Sequence, residues 1–128
     1  MRGVLDTSVF IAREQQRLLL AERLPDEAAV SVVTLAELEL GVHMAIADGV
    51  RARRLATLQT LRATYVALPI DEAVASAFAE LVSSARRAGR RLKVQDAWIA
   101  ATARRHDAAV YTQDSDFDGL PGVEVVRI

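Results

Sequence analysis

The chain has 128 residues, enough for one domain and too few for two ordinary ones, and its 52% hydrophobic and 26% charged residues suit a globular fold with a real core. A net charge of −1 gives no global attraction to nucleic acid or to an anionic membrane, so any such attraction has to come from local patches. The lack of cysteine excludes disulfides and thiolate metal sites and permits a cytoplasmic location, and His43 and His106 show no zinc-ligand spacing.

Asp6 interrupts the apolar start, so no secretory leader is expected. No run approaches the roughly 18 uncharged apolar residues of a membrane span, and none is expected. Gly3-Val4-Leu5 reads as a short buried strand that ends at Asp6. Val9 to Leu24 follows as one or two helices, stopped by Pro25-Asp26. Ala28 to Val33 is short and β-branched, a second strand.

A helix is expected from Thr34 to Ala47, ended by Asp48-Gly49, and another from Val50 to Thr64 with Leu55, Leu58 and Leu61 facing inward. Tyr65 to Leu68 is a third strand. Asp71 suits the N-cap of the next helix, whose apolar stripe is Val74, Phe78, Leu81, Val82 and Ala85 and whose stop is Gly89. Asp96 to His106 is a further helix, with small residues fit for close packing on a sheet. Ala109 to Thr112 is a fourth strand, Asp114 to Gly122 a loop, and Val123 to Ile128 a last strand. Strands alternating with helices argue an α/β fold, a single domain over residues 1–128 with a central parallel sheet of four to five strands.

Ligands in such sheets collect at the carboxyl ends of the strands, and four acids converge there. Asp6 ends the first strand; capping the following helix is its alternative role. Glu37 lies in the first turn after the second strand, although Thr34-Leu35-Ala36-Glu37 also fits a capping box. Asp96 opens a helix, where it can be a plain N-cap or an ionised ligand favoured by the helix dipole. Asp114 follows the fourth strand by two residues, with Asp116 and Asp118 close behind in a loop whose acids can equally be turn formers.

Carboxylates about 4 Å apart repel by roughly 4 kcal/mol per pair at an effective dielectric of 20. No Lys or Arg lies within the four motifs to offset this. A hard cation would, and an all-oxygen donor set selects Mg²⁺ or Mn²⁺. Such ions activate water and stabilise charge on phosphate, which is the chemistry of phosphodiester hydrolysis.

Leu5-Asp6-Thr7-Ser8, Thr34-Leu35-Ala36-Glu37-Leu38-Glu39-Leu40-Gly41, Asp96-Ala97-Trp98-Ile99-Ala100-Ala101-Thr102-Ala103 and Tyr111-Thr112-Gln113-Asp114-Ser115-Asp116-Phe117 together resemble the PIN-domain ribonucleases of the VapC toxin family. Each motif alone is weak; the four in order, over essentially the whole chain, are specific. The resemblance implies a PIN-like α/β/α sandwich and a Mg²⁺-dependent endoribonuclease, with Mn²⁺ as a substitute ion. It places the acidic site at Asp6, Glu37, Asp96 and Asp114, with Asp116 as a fifth candidate ligand. It also implies an RNA substrate, a homodimer, and silencing by a cognate VapB antitoxin in the cytoplasm.

Arg86, Arg87, Arg90, Arg91 and Lys93 form a basic run before Asp96, either a solvated helix end or a patch that steers phosphate toward the acids. Trp98 sits in an apolar helical stripe, which favours a place in the core or in a dimer interface over base stacking. Two other functions compete. A phosphatase of the haloacid-dehalogenase kind with Asp6 as nucleophile wants a second acid where Ser8 stands. A catalytically degenerate PIN-fold module binding RNA or protein is hard to square with four intact acids.

Overall fold

A computed structural model describes residues 2–128. Five strands form one parallel sheet in the order β3-β2-β1-β4-β5. The strands are β1 (Arg2–Leu5), β2 (Glu27–Ser31), β3 (Val66–Leu68), β4 (Ala109–Thr112) and β5 (Val125–Arg127). The helices are α1 (Thr7–Glu14), α2 (Val32–Met44), α3 (Asp48–Thr64), α4 (Glu72–Arg87) and α5 (Val94–Arg105). No helix among the described residues is long and apolar enough to cross a membrane.

Alternation along the strands sorts the core into two halves. Leu5 and Tyr111 join Val9, Phe10, Leu38, Leu58 and Leu61, so α1, α2 and α3 cover one face. Val4 and Val110 join Leu81, Ile99, Ala100 and Ala103, so α4 and α5 cover the other. The result is the three-layer α/β/α sandwich that the motifs imply. Gly3 is forced by the close packing of β1: a Cβ there would lie 2.5 Å from Tyr111 Cε1 and 2.8 Å from Pro25 Cγ.

Several boundaries differ from expectation. The first helical segment stops at Glu14. Gln16 takes φ 56°, and the Gln16 and Arg17 amides close back on the Arg13 and Ala12 carbonyls. This is a Schellman termination without the glycine that usually announces it. A three-residue 3-10 turn, Ala21–Arg23, is all the further helix before Pro25.

Strand β2 ends early, because Ser31 caps α2 through the Val33 amide. Thr34 is therefore inside that helix and is not its N-cap. Asp48-Gly49 opens α3 and does not end α2. Leu58 and Leu61 are buried, but Leu55 is 40% exposed. A spacing of three drifts about 60° around the helix per step, which carries the first of the trio off the buried face. Helix α5 begins at Val94, so Asp96 is a first-turn residue and Lys93 occupies the cap.

Candidate metal centre

The chain leaves β1 for one half of the sheet and returns through β4 on the other side. The crevice between the carboxyl ends of β1 and β4 is therefore the topological switch point, where open α/β sheets bind ligands. Asp6 stands at this position, 4% exposed and at the N-cap of α1. Its Oδ2 accepts from the Ser8 amide at 3.3 Å and from Thr112 Oγ1 at 2.9 Å. The Thr112 hydroxyl also accepts from the Asp114 amide at 2.9 Å, so one buried threonine at the end of β4 fixes two acids at once.

Glu37 comes in from α2. Thr7 Oγ1 lies 2.8 Å from Glu37 Oε1, as donor, and 3.0 Å from the buried Thr34 hydroxyl. The capping box expected from Thr34 to Glu37 does not form: with Ser31 at the cap, Thr34 and Glu37 are both free to reach Thr7. Burial pushes the Glu37 carboxyl up; the Thr7 hydrogen bond opposes that, and the nearby Asp6 charge adds to it.

Asp96, Asp114 and Asp116 complete the edge. One carboxylate oxygen from each lies within 4.8 Å of the others. Asp114 caps the 3-10 turn Ser115–Phe117 by accepting from the Asp116 amide at 3.0 Å. Burial, then the charges of Asp6, Asp114 and Asp116, raise Asp96 to about 6 against the opposing pull of Lys93. Asp96 Oδ2 is buried and has no hydrogen-bond partner among the described residues.

A residue with a bare, buried carboxylate oxygen grouped with two further carboxylates is the arrangement a hard cation satisfies. The donor set fits a divalent ion held through oxygen, and Asp96, Asp114 and Asp116 are the side chains able to hold it, with Asp6 near enough for its charge to raise Asp96. Asp118 lies outside this group and pairs with Arg127 at 3.5 Å.

One positive charge does reach the cluster, contrary to expectation. Lys93 Nζ sits 3.1 Å from Asp116 Oδ2, and the neighbouring acids, Asp116 first, hold the ammonium above its usual range. Sequence reasoning also assigned no role to the hydroxyls of Thr7, Ser8 and Thr112, and gave Thr34 only a capping one. All four lie within three residues of an acid in its motif, and that proximity is the signal the sequence offered. Trp98 is half-buried and stacks on Phe78, with ring centroids 3.8 Å apart between α4 and α5.

Comparison with known proteins gives a consistent set of relatives. The family model for the PIN domain matches residues 3–123. Ribonuclease VapC5 of Mycobacterium tuberculosis is 46% identical over 98% of this chain and 95% of its own length. Ribonuclease VapC4 of the same organism is 48% identical over 99% of this chain and 97% of its own. A crystal structure of VapBC-5, a member of the VapBC family of toxin-antitoxin systems from Mycobacterium tuberculosis, superposes with a TM-score of 0.90 at 45% identity, covering 99% of this chain and 98% of that one.

Proposed function

The chain belongs to the PIN-domain family and groups with its VapC ribonucleases, and from that premise we propose that it is a Mg²⁺-dependent endoribonuclease, the toxin of a toxin–antitoxin pair. The observation that carries the reading is the orphaned Asp96 Oδ2 within the Asp96, Asp114 and Asp116 group. Asp6, Glu37, Asp96 and Asp114 are the catalytic acids, and Asp116 joins them as a metal ligand. When bound, the ion supplies an activated water and neutralises charge building on the phosphate.

The chain's own residues do the positioning. Thr112 holds Asp6 Oδ2 and the Asp114 backbone in register. Thr7 holds one oxygen of Glu37. A carboxyl whose burial raises its pKa is the better proton acceptor toward neutral pH, and Glu37 is placed for that task. Arg86, Arg87 and Arg91 are exposed cations that offset the repulsion between an acidic edge and RNA phosphates.

The partner is an antitoxin whose tail lies on the early helices. Exposed apolar side chains just after α1 and on α2 support this: Leu18 is 86% exposed, Leu40 60% and Met44 68%. Leu38 and Val42 on α2 are core residues and add nothing to that surface. A cavity of about 290 Å³ beside Glu37 is lined by Ile11, Gln15, Leu38 and Arg54. An antitoxin Arg inserted among Asp6, Glu37, Asp96 and Asp114 would pair with carboxylates as the ion does. The toxin acts as a homodimer in the cytoplasm.

The test is cleavage of RNA by the purified chain after chelator treatment. Activity should return with Mg²⁺ or Mn²⁺ and be absent from Asp6→Asn. Cleavage that persists in chelator, or in Asp6→Asn, would contradict the reading.

A further inference from the structure

Arg90 stands in the basic run, yet its guanidinium is engaged inside the protein. Helix α4 ends at Arg87, and Gly89 follows with φ 71°. The Gly89 amide donates to the Arg86 carbonyl at 3.0 Å and the Arg90 amide to the Ala85 carbonyl at 2.8 Å. These two bonds make a Schellman motif that fixes the Arg90 backbone, so the direction of its side chain is set by the end of α4. From there Nη2 donates to the Asp116 carbonyl at 2.6 Å, and Nη1 donates to the Asp118 carbonyl. Both acceptors lie at the end of the Ser115–Phe117 turn, where carbonyls lack partners within the turn.

We infer that Arg90 is a positioning residue for the metal centre and takes no direct part in RNA binding. Its fork spans two carbonyls of the turn that carries Asp114 and Asp116, and holds both carboxylates toward Asp96. This rests on the metal reading above. It also divides the basic run by task. Arg90 works inward on the turn, whereas the side chains of Arg86, Arg87 and Arg91 make no hydrogen bond or ion pair among the described residues and stay available to phosphate. The distinction depends on shape as well as charge, because a lysine keeps the positive charge but lacks the planar fork that bridges two acceptors.

Arg90→Lys separates the two roles. Mn²⁺ titration calorimetry on the stripped, full-length protein should show affinity weakened by about 10- to 100-fold, the range for groups that orient metal ligands. In steady-state cleavage kcat should fall while KM stays put, and the salt dependence of RNA binding should match wild type, since the charge is retained. Arg91→Gln should do the reverse: KM rises, the salt dependence flattens, and Mn²⁺ affinity is unchanged. Amide exchange should quicken in residues 114–119 of Arg90→Lys and stay slow at Val4 and Val110.

Wild-type Mn²⁺ affinity in Arg90→Lys would overturn the inference. So would exchange that quickens throughout the sheet, which would make Arg90 a global stabiliser. A wild-type protein that binds no Mn²⁺ would instead remove the metal reading, and the inference with it.

Discussion

The acidic edge has two halves built on opposite terms. Asp6, just past β1, and Glu37, on α2, are held by hydroxyls and one amide: Thr112 Oγ1 and the Ser8 amide on Asp6, Thr7 Oγ1 on Glu37. Asp96, Asp114 and Asp116 are crowded together, and Asp96 Oδ2 has no partner among the described residues. Their neighbourhood is braced from outside, by Lys93 on the Asp116 carboxylate and by Arg90 on the backbone of the turn. In the first half one oxygen of each carboxylate takes a hydrogen bond from the protein; in the second the exposed Lys93 is the only side-chain cation on the three acids, and Asp96 Oδ2 is left bare among the described residues. The comparison teaches where a cation belongs, because an ion adds least to carboxylates already hydrogen-bonded and most to those that are not.

Asp96→Asn should give the largest effect. Cleavage should be lost, since the amide keeps the shape and removes the charge. The stripped protein should become more stable, with a pH dependence whose sign follows from the shift. Asp96 rises from an ordinary 3.8 to about 6 in the fold, so the folded state favours its protonated form. That contribution is fully present below about pH 4 and is lost as pH rises through 6. The advantage of Asp96→Asn over wild type in chelator should therefore be small at pH 4 and larger at pH 7.5, by denaturant titration. An advantage independent of pH would break the contrast between the two halves.

Thr112→Val attacks the satisfied half. It leaves the Asp114 amide without its acceptor and Asp6 Oδ2 with the Ser8 amide as its remaining donor, at a cost on the order of 1–3 kcal/mol. Urea unfolding would measure this, and a loss well under that range would mean that water replaces the hydroxyl. Thr7→Val should act more narrowly. The Thr7 bond lowers the Glu37 pKa, so its removal should move the acid limb of the cleavage profile to higher pH. Lys93→Gln should be the mildest: the pair is solvent-exposed, so Mn²⁺ affinity should tighten by no more than about fivefold.

The sequence made the sheet and its acidic edge legible because β1 and β4, which flank the site, carry a local signal, an apolar run broken by Asp6 or by Thr112. It misled at α2 for an equally local reason. Val32 and Val33 are β-branched and extend the strand pattern, while Thr34 and Glu37 mimic a capping box. Only the Ser31 cap, visible in three dimensions, resets the helix start and frees Glu37 for Thr7.

The hydroxyl network joins residues as far apart as Asp6 and Thr112, a pairing that only the sheet register creates. The basic run was visible as charge, but its division was not. That Arg90 turns inward depends on the positive φ of Gly89 and on orphan carbonyls nearly thirty residues later, and composition records neither.

The central claim is that a divalent ion belongs on Asp96, Asp114 and Asp116. Manganese binding to the stripped protein at pH 7.5, read by electron paramagnetic resonance with Asp96→Asn alongside, tests it most directly. Wild type should bind Mn²⁺ and lose it to excess Mg²⁺, and Asp96→Asn should leave the ion free in solution. Equal binding by both proteins, or none by wild type, would contradict the account.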